Sequence, residues 1–160
     1  MHHVRPHNMH IGTFALLLIA LTPVVAIANP VDQFCANVSR NIDTLASTFR
    51  TSCLPTAGGK AEVNSALVIA DAPVFSSEKS KKAFLIVACA AAGSELNKSS
   101  RVRLNELWFS DVERTKQRIA FVVPASECKV LQSQVHAGAI SLEQMYSRLE
   151  AKLVRKEVAK

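Results

Sequence analysis

Glycine and proline are scarce in this chain of 160 residues, which has 5 glycines and 6 prolines beside 49% hydrophobic residues. A collagen-like repeat needs far more glycine, and a disordered chain has far fewer apolar residues, so the composition excludes both classes. The length suits a single domain with its own packed core.

Histidine is also scarce beyond the amino end of the chain. Four of the five histidines lie within the first ten residues, and the fifth is His136. A catalytic zinc needs a close set of histidine, cysteine or carboxylate ligands. The chain lacks the spacings C-x-x-C and H-E-x-x-H that supply such a set. Nucleophilic catalysis needs a nearby base, whereas His136 is expected near the exposed end of a helix. We therefore predict no metal and no cofactor.

Charge is absent from residues 11–28, which end in the small residues of the segment 26–28. A basic start, an apolar stretch and a small-residue ending form the layout of a secretory signal peptide. The sequence thus predicts that residues 1–28 are removed on export and that 29–160 form one periplasmic or extracellular domain. The alternative is an uncleaved anchor, but eighteen residues barely span a bilayer and Pro23 would weaken that helix. No membrane span is expected after cleavage.

All four cysteines, Cys35, Cys53, Cys89 and Cys128, follow the predicted leader. An even cysteine count in an exported chain predicts two disulfides. A first helix intact to Arg50 would end about 22 Å from Cys35, and Cys53 could reach back only about 10 Å. Because bridged Cα atoms lie within roughly 7 Å, this helix excludes Cys35–Cys53. We favour Cys35–Cys89 with Cys53–Cys128, and Cys35–Cys128 with Cys53–Cys89 stays open.

The spacing of apolar residues predicts an α+β domain with the element order α-β-α-β-β-α-α. Its sheet should be a three-stranded mixed sheet with helices on one face, and the first two strands should be parallel because a helix connects them. The predicted elements are helix 29–50, loop 51–60, strand 66–70, helix 77–97, strands 101–110 and 118–123 joined by the hairpin loop 111–117, a helix after Pro124 that stops at Gly138, and a last helix that opens with a capping box at Ser141 and runs into the basic carboxyl end.

Two weak patterns leave a small secreted hydrolase as an alternative function. The segment Ser76-Ser77-Glu78-Lys79 fits the S-x-x-K motif of serine–lysine enzymes, although one of its serines equally suits a helix cap. Asp71, Glu106 and Asp111 lie near predicted strands and could supply a carboxylate pair. Thirteen acidic residues produce such coincidences on any surface.

Basic residues outnumber acidic ones by 19 to 13, which gives a formal net charge of +6. Export would separate the chain from chromosomal DNA, so we expect no nucleic-acid partner. A mild positive excess fits attraction to anionic lipid headgroups or polyanionic envelope polymers better.

The leading prediction is an exported, non-enzymatic binding or accessory protein that disulfides stabilise. Exposed aromatic residues beside arginine are favoured interface anchors, so we expect the contact surface on the uncovered sheet face near Arg103, Trp108 and Phe109. The competing interpretation is that Trp108 and Phe109 belong to the core. Self-assembly through the last helix is a further alternative if the apolar stripe of that helix is exposed. The partner and the oligomeric state stay open.

Overall fold

The computed structural model describes residues 29–57 and 63–158, so the predicted leader lies outside the described residues. These residues form five helices, five strands and a short 3-10 turn. In chain order the elements are α1 (Pro30–Leu45), β1 (Thr51–Ala57), β2 (Val63–Ala70), the 3-10 turn (Val74–Ser76), α2 (Glu78–Lys98), β3 (Glu106–Asp111), α3 (Val112–Lys116), β4 (Ile119–Pro124), α4 (Ala125–His136), α5 (Leu142–Glu150) and β5 (Val154–Glu157).

The sheet has five strands in the order β1-β2-β3-β4-β5, so the predicted three-stranded sheet is wrong in its strand number. Strands β2 and β3 pair in parallel, as the helical connection between them requires, and the other three pairs are antiparallel. The α+β class of the prediction is confirmed. Both missed strands lie at the edges of the sheet, where the sequence signal is weakest.

Strand β1 occupies part of the segment that was predicted as a loop on the strength of Pro55 and the glycines that follow it. An edge strand tolerates proline, because one side of its backbone has no partner that needs an N–H donor. Strand β5 occupies the tail that was predicted to continue the last helix. That helix ends at Glu150 instead.

Helix α1 begins as predicted, since the Asn29 side chain accepts a hydrogen bond from the amide of Val31 at 3.0 Å. It ends at Leu45, five residues before the predicted end at Arg50. Phe49 keeps the helical spacing of apolar residues, yet it lies in the turn after the helix and packs edge-on against Phe84 at 5.9 Å. The apolar pattern alone could not reveal this early end.

The two disulfides join Cys35 to Cys53 and Cys89 to Cys128, with Cα–Cα distances of 4.9 and 5.1 Å. The favoured pairing, Cys35–Cys89 with Cys53–Cys128, is therefore wrong, and so is the pairing that was left open. The error follows from the helix end: because α1 stops early, the chain reverses and β1 brings Cys53 back beside Cys35. The prediction that all four cysteines form disulfides is consistent with the structure.

Helix α2 is the central helix of the domain, and the predicted helix over 77–97 is confirmed within one residue. The Ser77 hydroxyl caps it by accepting a hydrogen bond from the amide of Ser80. Its small residues let α4 approach closely: a Cβ atom on Gly93 would lie 2.2 Å from the carbonyl oxygen of Cys128. The Cys89–Cys128 bridge forms at this close contact between α2 and α4.

The connection from α4 to α5 forms as the sequence predicts. Gly138 adopts a φ of 70°, which favours glycine after a helix. Ser141 and Gln144 form the reciprocal hydrogen bonds of a capping box at the start of α5.

The main core lies between the helices and one face of the sheet. The strand side chains in this core are Ala66, Val68, Ala70, Leu107, Phe109 and Val123, and they pack against buried residues of α1, α2, α4 and α5. Alternate residues of each strand point to the opposite face. We call that opposite face the open face, because of the described helices only the short α3 contacts it, where Thr115 donates to Ser110.

Candidate binding surface

One apolar residue from each strand forms a continuous row across the open face. Side chains of residues that pair across neighbouring strands lie on the same face. The pairs Leu54–Leu67, Leu67–Trp108, Trp108–Val122 and Val122–Val154 therefore place these five side chains in one line. With strands about 4.8 Å apart, the row is roughly 19 Å long. We refer to it as the apolar row.

The two ends of the apolar row are open to solvent. Leu54 on β1 is 51% exposed and Val154 on β5 is 55% exposed. Leu67 and Val122 lie deeper and are buried, and Trp108 between them is half-buried. The exposed apolar surface of the row therefore lies at Leu54, at Val154 and in part at Trp108.

Trp108 is held in place by charged neighbours on the open face. Its indole N–H donates to Glu106 Oε2 at 2.9 Å, and Lys156 Nζ donates to Glu106 Oε1 at 2.6 Å. The same ammonium lies 5.6 Å from the centre of the Trp108 ring. The pairing neutralises both charges and leaves a fixed aromatic side chain at the middle of the apolar row.

A hollow of about 400 Å³ adjoins the row where β4 meets β5. Val122 and Val154 contribute apolar walls, and Glu106, Lys152 and Lys156 contribute charged groups at its edge. A bulky apolar side chain of a bound partner could enter this hollow beside Val154.

The structure separates the three residues that the sequence proposed for the contact surface. Trp108 lies on the open face, as described above. Phe109 is fully buried on the opposite face and packs edge-on against Phe84 at 6.4 Å, so it belongs to the core. Arg103 is exposed in the segment between α2 and β3, where it lines a different hollow with Lys129.

Sequence reasoning missed Leu54 and Val154, the two most exposed members of the apolar row. Leu54 lies in the segment predicted as a loop, and Val154 lies in the segment predicted as helix. A signal was present for Leu54, because Cys53, Leu54 and Pro55 precede the Gly58-Gly59 pair that commonly closes a hairpin.

Of the carboxylates proposed for hydrolysis, Asp111 is engaged within the fold and Glu106 lies far from it. Asp111 is buried, and its oxygens accept hydrogen bonds from the amides of Phe75 at 2.9 Å and Arg114 at 2.8 Å. It therefore caps α3 and fastens β3 to the 3-10 turn. Glu106 lies five residues away on the same strand, which is about 16 Å. Asp71 is exposed.

The serine–lysine motif serves the start of α2. Ser77 caps that helix, and the Ser76 hydroxyl donates to the carbonyl of Pro73 at 2.6 Å. His136 is exposed at the last position of α4. Within the described residues, no group of three or more histidine, cysteine or acidic side chains could hold a metal ion.

The apolar stripe of α5 is buried, which removes the condition for self-assembly through that helix. Met145 and Leu149 are fully buried, and Leu142 is the exposed member of the stripe. The Tyr146 hydroxyl lies within hydrogen-bond reach of the carboxylates of Glu78 and Glu150 and donates its one proton between them, which ties α5 to the start of α2. Burial and these two carboxylates raise the pKa of Tyr146 well above its ordinary value, so it stays a neutral donor.

Comparison with known proteins identifies no relative: no family matches this chain, and no curated protein or solved structure is similar to it. Across 29–57 and 63–158, none of the helices is long and apolar enough to span a membrane. Because no relative indicates a function, we infer the function from the geometry described above.

Proposed function

We propose that this protein is an exported, non-enzymatic accessory protein that binds an amphipathic helix of a partner protein through the apolar row. The observation that carries the proposal is the unbroken line of apolar side chains across all five strands, exposed at both ends. Of the described helices, only the short α3 contacts this face, beside Ser110 at the end of β3.

Export is supported by two independent features. The first 28 residues have the layout of a cleavable leader, and both disulfides are of a kind that forms and persists in oxidising compartments. Asn29 caps α1 directly, so cleavage before it would leave the first helix and its cap intact.

The dimensions of the row favour a helix as the partner. A row of roughly 19 Å matches between three and four helical turns of about 5.4 Å. Helices dock on apolar surfaces through side chains spaced three and four residues apart, which gives one anchor per turn. The distance of about 4.8 Å between strands would set each anchor close to a different strand.

The charge distribution favours a protein over a lipid surface. The cores of protein interfaces are depleted of charge and enriched in aromatic residues, and the row has Trp108 at its centre with the Glu106–Lys156 pair beside it. A tryptophan in such a position commonly contributes 2 kcal/mol or more to binding.

Two matched leucines give a sharp test. Leu54 is 51% exposed on the open face, and Leu45 is 66% exposed at the end of α1 on the helical side. The disulfide-bonded protein, immobilised on a support and incubated with envelope extract, should capture a partner protein that presents an amphipathic helix. Leu54→Lys should reduce the capture about tenfold or more, since a charge would enter an apolar contact. Leu45→Lys should leave the capture unchanged.

Three results would contradict this function. They are equal capture by the Leu54→Lys and Leu45→Lys variants, recovery of a second copy of this chain in place of another protein, and recovery of lipid. A leader that stays attached to chain recovered from the cell interior would contradict export separately.

A further inference from the structure

A cavity of about 270 Å³ lies between the start of α1 and the end of α2, away from the apolar row. Its apolar walls come from Pro30, Phe34 and Val102. Its polar groups are those of Gln33, Asn37, Glu95, Ser99 and Arg101. A concave, mostly apolar space with a few converging polar groups is the usual form of a small-molecule site.

The acidic group of this cavity is a buried carboxylate. Glu95 is 8% exposed. Its Oε1 accepts from Asn41 at 2.9 Å and Lys98 at 2.8 Å, and its Oε2 accepts from Asn37 at 3.0 Å. Burial alone would raise its pKa, but the hydrogen bonds from Lys98, Asn37 and Asn41 together hold the pKa below its ordinary value. The carboxylate is therefore ionised at neutral pH.

The hydrogen-bond partners of the two Glu95 oxygens line different spaces. Asn41 and Lys98, the partners of Oε1, line a neighbouring groove that runs along α1, α2 and α4. Asn37, the partner of Oε2, lines the cavity itself. Oε2 has this single described partner, and a carboxylate oxygen accepts more than one hydrogen bond. Oε2 therefore has the capacity to accept a second donor.

The basic group of the cavity is Arg101, just after the end of α2. Its side chain forms no ion pair with any acidic residue of the described part of the chain. Its backbone amide donates to the Ser99 hydroxyl at 3.3 Å, which fixes the turn that carries it. A guanidinium without a carboxylate partner can bind one from a ligand.

We propose that this cavity binds a free α-amino acid with an apolar side chain. The ammonium group would donate to Glu95 Oε2, the carboxylate would accept from Arg101, and the side chain would lie against Phe34 and Val102. Because an α-amino acid carries both charged groups on one carbon, its recognition by Glu95 and Arg101 together selects for a small zwitterion over an ion of either sign. This site is independent of the proposed partner surface on the open face.

The test is an NMR titration of the disulfide-bonded protein with L-leucine and two analogues. Leucinamide lacks the carboxylate, and 4-methylpentanoate lacks the ammonium group. Leucine should produce saturable amide shifts at Asn37, Ser99 and Arg101, and each analogue should bind about tenfold or more weakly. Neighbouring arginines supply matched variants: Arg101→Ala should weaken leucine binding about tenfold, and Arg103→Ala should leave it unchanged.

The proposal is overturned if leucine gives no saturable shift at these amides, if 4-methylpentanoate binds as tightly as leucine, or if Arg101→Ala and Arg103→Ala behave alike. Both arginines are at exposed positions, so replacing either one should leave the fold intact. Glu95 is not replaced in this test, because its loss would disturb the packing of α1 on α2. Leu54→Lys should leave leucine binding intact. A failure of leucine binding can therefore be distinguished from a failure of partner binding on the open face.

Discussion

At the scale of single residues, Gly93 sets how closely α2 and α4 approach. An added Cβ would lie 2.2 Å from the backbone oxygen of Cys128 and 2.7 Å from Cβ of Gln132. Backbone cannot move aside as a flexible side chain can, so Gly93→Ala should lower the free energy of unfolding by about 2–4 kcal/mol. Denaturant unfolding measures this. Ser94→Ala, the next position on the helix, should change it by less than about 0.5 kcal/mol.

Glu95 makes the stability depend on pH in a defined direction. Its pKa in the folded protein lies below the ordinary value of 4.5, so its contribution is complete above that value and is lost as the pH falls through the folded pKa. At pH 7, Glu95→Gln should lower the free energy of unfolding by about 1–3 kcal/mol. The difference from wild type should shrink below about pH 4.5. A difference that stays constant down to pH 3 would show that the carboxylate charge contributes nothing.

At the scale of elements, the attachment of α5 depends on one phenol. The Tyr146 hydroxyl shares its one proton between Glu78 on α2 and Glu150 at the end of its own helix. Tyr146→Phe keeps the ring and removes these bonds, so it should destabilise the protein by about 1–3 kcal/mol. Hydrogen exchange should rise first in α5 and β5. Ser147→Ala, at an exposed site on the same helix, should leave exchange in both elements unchanged.

Helix starts were predictable from the sequence because caps are local. Asn29 and Ser141 cap their helices as predicted, and Ser77 is one of the two serines proposed as the cap of α2; each satisfies a backbone amide within three residues. The end of α1 was not predictable, since Phe49 keeps the helical spacing but packs on Phe84. Only tertiary contact decides between a longer helix and this turn.

The edge strands, and with them the apolar row, could not be predicted from the sequence for a related reason. Trp108 could be identified as a candidate from its chemistry alone. Val154 depends on pairing with β4, well before it in the chain, and no local pattern records that pairing. Leu54 pairs within the β1–β2 hairpin, and it was missed because Pro55 favours a loop. The disulfide error has the same origin, because one turn at the end of α1 decides which thiols meet.

At the scale of the whole molecule, the two disulfides close loops of different size. The bridged cysteines are 18 residues apart in Cys35–Cys53 and 39 apart in Cys89–Cys128. Loop-closure entropy then gives stabilisation of about 3 and about 4 kcal/mol, respectively. Replacing Cys89 and Cys128 by alanine should therefore lower the melting temperature more than replacing Cys35 and Cys53. Calorimetry of the two double variants measures the order, and the reverse order would contradict it.

The most direct test of the central claim is site-specific photo-crosslinking in cells. A photoreactive benzoylphenylalanine would replace Leu54 on the open face in one variant and Leu45 on the helical side in another. We predict a discrete adduct with a partner protein from position 54, lost when Trp108→Ala is added, and no such adduct from position 45. Adducts of equal yield from both positions, or none from position 54, would contradict the claim that the apolar row is the binding surface.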